Sequence, residues 1–213
     1  MIIDEPKDIT LNISEETRKH LDAFLGKIVP DTKLAALVGA IDGSVIEISP
    51  RGNGFVSTAK HEYLVEQTRI GGKDEDLGLF IINEYFMLTG DAPEGIGRTS
   101  FIRQVIAARE LGFRFIRTYA AGSVDDPDGF IGYSVWAKFG FNAALEPDEI
   151  ESLPPEYKSC KDLNSLMLLG GEEWWIQNGS GRDMIFFLSD EEGELSLAVL
   201  RNYLLEREVE IKL

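Results

Sequence analysis

The chain is short of histidine, cysteine and positive charge. Two histidines, His20 and His61, stand among 213 residues, and neither lies in a ligand-spaced cluster with cysteine or carboxylates, so no metal site is expected. The one cysteine, Cys160, closes no internal disulfide and has no cationic neighbours to favour a thiolate. Lysine and arginine number 21 against 37 aspartates and glutamates, a formal net charge of −16. Such a surface repels nucleic acid and anionic membranes, because phosphate binding requires cations that release counterions. Neither partner is expected. The acidity leaves two readings open, steering of a cationic amine or plain solubility. No apolar run approaches the ~20 residues of a membrane span, and no basic and apolar leader follows Met1. A cytoplasmic location is the expectation.

Hydrophobic residues make up 44% of the chain, enough for one sizeable core. Ser14-Glu15-Glu16 offers a cap and first-turn acids to a helix carrying Leu21, Phe24, Leu25 and Ile28, which Pro30 stops. Asp31 can cap a second helix with Leu34, Leu37 and Val38. The period then changes: residues 45–48, 55–59, 63–70 and 79–88 are β-rich, divided by turn-forming residues 50–54 and 71–76, as in an antiparallel meander. From Gly95 the period is helical again, with Phe101, Ile102, Val105, Ile106 and Leu111 as the apolar stripe and Gly112 at its close. A strand over 113–120 and a helix over 130–139 follow, then helical pieces at 163–169, Trp174-Trp175 and 195–205. The order predicts an α/β (α+β) fold: a mixed, mostly antiparallel sheet flanked by helices over residues 1–150, with a helical C-terminal extension, 151–213, packed on the same domain. The paired tryptophans read as core, with a closing segment or partner surface as the alternative.

Chemistry concentrates where Gly95-Ile96-Gly97-Arg98-Thr99-Ser100 opens the third helix. A helix start is an anion site, because unpaired N–H groups and the positive dipole end converge there and glycines let a ligand approach. Thr99 and Ser100 add hydroxyl donors. Arg98 is a cation where the dipole disfavours one, a conflict that a phosphate would relieve. With Arg103, Arg109, Arg114 and Arg117 it places five of the eleven arginines within twenty residues, a local positive patch. The turn is neither a Walker motif, since no Gly-Lys-[Ser/Thr] follows, nor a dinucleotide fingerprint, since no third glycine falls in place. A plain strand-to-helix turn is the alternative.

In order, the strand at 79–88, the Gly95-Ile96-Gly97 turn, the helix to Leu111, the strand at 113–120 and Tyr133-Ser134-Val135-Trp136-Ala137-Lys138-Phe139-Gly140-Phe141 resemble the central motifs of the GNAT acetyltransferases. The resemblance covers about residues 79–145. It implies a GNAT-like fold and acetyl-CoA as co-substrate, with the pyrophosphate held on Gly95, Ile96, Gly97, Arg98, Thr99 and Ser100. The amides of Phe86, Met87 and Leu88 would pair with the pantetheine, and the helix bearing Trp136 would pack beside it. It further implies acetyl transfer to an unidentified small-molecule or protein amine, which needs a base and an acid. Glu84 is the base expected, on a strand whose alternation can aim it into a central cleft, with the solvent face as the alternative. Tyr133 is the acid expected, or a packing residue. Ala92 stands where the family has Arg or Gln, Gly129 where asparagine is frequent, and Trp136 where many members carry an acidic tyrosine. These departures keep two further readings open: a catalytically inactive GNAT-like binding or interaction module, and a binder of another phosphate ligand.

Overall fold

A computed structural model describes residues 4–126 and 128–209 of the chain. It is a mixed α/β protein of two compact units that divide between Arg114 and Phe115. The first unit runs β1 (Thr10–Asn12), α1 (Glu15–Leu25), α2 (Asp31–Leu37), β2 (Val45–Arg51), β3 (Gly54–Lys60), β4 (Leu64–Asp74), β5 (Gly78–Leu88) and α3 (Ile96–Leu111). Strands β2 to β5 are the antiparallel meander expected from their turns, and β1 adds a parallel edge with Thr10 opposite Val45.

Local chemistry moves three boundaries from their expected places. Helix α1 starts as predicted, with the Ser14 hydroxyl accepting from the Thr17 N–H, but it ends before Pro30. Gly26 takes a left-handed φ of 68° and donates to Ala23, which closes the helix and leaves Ile28 85% exposed. Asp31 is the first helical residue of α2 rather than its cap, a position held by Pro30. The pair Gly71-Gly72 is not a turn. Strand β4 runs through both, because the Phe55 ring lies where a Gly71 side chain would be and the Phe80 ring does the same at Gly72. The turn falls instead at residues 75–77, where the Asp74 carboxylate accepts from the N–H groups of Asp76 and Leu77.

The second unit comprises β6 (Phe115–Ser123), α4 (Gly132–Lys138), α5 (Pro147–Ser152), α6 (Leu163–Leu168), α7 (Glu172–Asn178), β7 (Ser180–Phe187) and α8 (Asp190–Leu205). The helical pieces expected after residue 150 are present, but the segment also holds a strand, β7, antiparallel to β6. Trp175 is fully buried and donates its indole N–H to the Tyr133 carbonyl at 2.9 Å. Among the described residues, no helix is long and apolar enough to cross a membrane.

Candidate anion-binding site

Helix α3 begins on Gly95, whose φ of 83° is left-handed and whose missing side chain leaves room for the Arg98 guanidinium. No side chain caps this end; the Ile96 N–H donates to the Pro93 carbonyl at 3.2 Å, and among the described residues the N–H groups of Gly97 and Arg98, with the dipole, stay available to a ligand. The Arg98 guanidinium folds back over Gly95: a Cβ built there would lie 2.7 Å from Nη2. Among the described residues no hydrogen bond or ion pair engages it, and its Nε is buried without a partner. A cation so placed is a standing electrostatic conflict.

Three segments of the first unit line an open cavity of about 440 Å³ at this helix start: Ile41-Asp42 before β2, His61-Glu62-Tyr63 between β3 and β4, and the residues opening α3. His61 Nδ1 accepts from the Tyr63 N–H at 3.1 Å, and the two rings lie 5.3 Å apart. Arg103, which also lines the cavity, is fully engaged. It pairs with Asp42 at 2.8 Å and donates to the carbonyls of Asp4 and Ala40. The Ser100 hydroxyl is buried and donates to the Gly39 carbonyl, so it braces the cavity wall rather than facing the space. Gly97 faces inward too, its built Cβ being 3.2 Å from Leu88 Cδ1 and 3.4 Å from Phe86 Cε1.

The structure thus gathers Gly95, Ile96, Arg98, Thr99 and Ser100 around one cavity and places Phe86 and Leu88 beneath Gly97. Met87 is exposed. The five arginines do not form one patch. Arg98 and Arg109 stand at opposite ends of a 16-residue helix, about 16 Å apart along its axis, and Arg117 is on β6, 3.9 Å from Asp183. Glu84 lies at a register shift: Arg69 is opposite Asn83 and Thr68 opposite Tyr85, which leaves Glu84 as the extra, solvent-exposed residue. The alternation expected along β5 therefore breaks there, and Asn83 takes the inward position.

Tyr133 and Trp136 belong to the second unit, on α4. The Tyr133 hydroxyl donates to the Ile176 carbonyl at 2.6 Å, and burial, with the Asp125 carboxylate, pushes its pKa up. Trp136 is buried, edge-on to Phe139 and Phe141 at 6.0 and 5.0 Å. Residues the sequence reading passed over are Ile41, Asp42, His61 and Tyr63. Their local signals, a turn at Asp42 and the start of a β-rich run at Tyr63, point to no ligand, and it is the meander that brings them to the start of α3. Compared with known proteins, the chain matches no family profile and no curated sequence.

Proposed function

We propose that the chain is a GNAT-type N-acetyltransferase acting in the cytoplasm, one that transfers the acetyl group of acetyl-CoA to an amine. The observation that supports this reading is the unpartnered Arg98 guanidinium at the uncapped start of α3, inside a cavity. A diphosphate answers both features at once, since it accepts from backbone N–H groups and supplies the missing counter-ion. Phe86 and Leu88 pack against Gly97 of the same turn and fix its place on the strand. Glu62 and Glu94 also line the cavity and are exposed, so water screens their repulsion of an anion.

In this reading Glu84 takes the proton of the attacking amine as the nitrogen bonds to the thioester carbon and the carbon–sulfur bond breaks; the thiolate then takes a proton from an acid. Tyr133, on the second unit, keeps its hydroxyl committed to the Ile176 carbonyl, and its raised pKa holds the proton on the phenol at neutral pH. That commitment, with the packed Trp136, favours the second reading, an inactive module that keeps the ligand site. An amine acceptor fits the acidic surface, which attracts cations.

The test is calorimetric titration with acetyl-CoA, with CoA and ADP as controls. Micromolar or tighter binding is expected, weakened about tenfold or more in Arg98→Glu, which turns the unpaired cation of the cavity into a repelling charge. Gly97→Trp is the poorer probe, because it would disrupt packing on Phe86 and Leu88. Absence of binding to folded protein overturns the reading. Binding without acetyl transfer to any amine selects the inactive module.

A further inference from the structure

The interior of the first unit contains a guanidinium with no counter-ion. Arg69 on β4 is 2% exposed, and among the described residues no carboxylate reaches it. Burial alone lowers its pKa to about 9. What holds it is backbone and a ring: Nη1 donates to the carbonyls of Thr68 at 3.1 Å and Tyr85 at 2.6 Å, and the guanidinium stacks 5.1 Å from the centre of Phe86. Those two carbonyls belong to the pair that follows the register shift, one on each strand.

The shift decides which side chains face inward. Asn83 and Phe86 are the interior positions either side of it, opposite Arg69 and Gln67, and two residues separate them instead of one. Without the extra residue the ladder would run Asn83, Tyr85, Phe86 in plain alternation, with the same three faces. Deleting Glu84 would thus keep these faces, whereas keeping it without the shift would turn Tyr85 inward and Phe86 outward; the shift displaces Glu84 from the ladder instead. The Thr68 and Tyr85 carbonyls beside the shift both accept from the buried Arg69 guanidinium, which ties the two strands together at that point.

We propose that Arg69 is a positioning residue, whose guanidinium holds β5 in the shifted register that displays Glu84 and sets Phe86 beneath the start of α3. The claim about register stands without any ligand; its consequence for acetyl transfer, through Glu84, rests on the function proposed above.

Amide hydrogen exchange on Arg69→Met tests it. Exchange at residues 84–88 should quicken about tenfold or more while β2 and β3 keep their protection. Unchanged exchange at 84–88, or an equal rise through the whole unit, overturns the proposal. A second measurement uses the chain lacking Glu84, in which the shift between Thr68 and Arg69 is gone, that between Leu64 and Glu66 remains, and Arg69 has no shift beside it to hold. There Arg69→Met should cost at least about tenfold less in the unfolding equilibrium constant than in the full chain. If Arg69→Met does not fold, recovery of folding on deletion of Glu84 supports the proposal. Failure of the double variant where the single deletion folds overturns it, as does failure of the deletion alone, since the unshifted pairing beside Arg69 would then not exist. Neither readout involves acetyl-CoA, so a protein that binds none can still pass.

Discussion

In the first unit Gln67, Arg69, Asn83 and Gln104 are all buried, and each is tied by hydrogen bonds: Gln67 to Val38 and Gly39, Asn83 and Gln104 to each other at 3.0 and 2.8 Å. The interior of the second unit is aromatic instead. Trp175, Phe141 and Phe186 are fully buried, Phe141 and Phe186 edge-on at 5.6 Å, with Tyr133 and Trp136 beside them. A polar interior gains little net stability per bond but fixes geometry, because every group left unmet is costly. An aromatic interior gains its stability from area and tolerates small shifts in angle. The candidate site grows out of the polar interior, where Ser100 and Gln67 both bond Gly39 behind the cavity wall.

That contrast can be broken at its strongest point first. Trp175→Ala should cost about 3–5 kcal/mol in denaturant unfolding, from lost area and the cavity left behind. Asn83→Leu should cost less, about 1–3 kcal/mol, by stranding the Gln104 amide, and adding Gln104→Met should cost less than the sum of the two changes. The non-additivity is the signature of a polar interior; an equivalent apolar pair in the second unit should lack it. Arg98→Met should leave stability within about 0.5 kcal/mol, since the guanidinium makes no bond to lose. The smallest effect is at the surface. Hydrogen bonds from Lys33 and then Thr32 lower the Glu5 pKa below its ordinary 4.5, and Lys33 bridges Glu5 at 2.8 Å to Glu110 at 2.6 Å. A lowered carboxylate pKa stabilises above 4.5 and is lost as pH falls through the folded value, so Glu5→Gln should make thermal stability less steep in pH below that point and change little at neutrality.

The meander and α3 were legible because their signals are local: alternating apolar residues, a capping serine, a glycine after Leu111. Gly71-Gly72 misled, since a double glycine marks a turn unless rings from other strands fill its place, and Phe55 and Phe80 are distant in sequence. Strand β7 was hidden because its alternation begins only at Met184, after Gly181, Arg182 and Asp183. At the candidate site, the glycine turn and Arg98 could be read from spacing. The cavity wall of Asp42, His61 and Tyr63 could not, since it depends on two turns meeting the same helix end. Nor could the shift at Glu84, because deleting that residue leaves an equally good pattern.

Asp42 ties that wall to residues far up the chain. Its carboxylate accepts from the Lys7 N–H at 3.0 Å and pairs with Arg103, which also grips the Asp4 carbonyl, while Gly43 donates to Lys7. The segment ahead of α1 thus works as a clasp across the back of the cavity. A cut between Asp4 and Lys7 would take one of the three bonds of Arg103 and the Lys7 N–H from Asp42, leaving the cavity wall held by the Asp42–Arg103 pair and the Ala40 carbonyl.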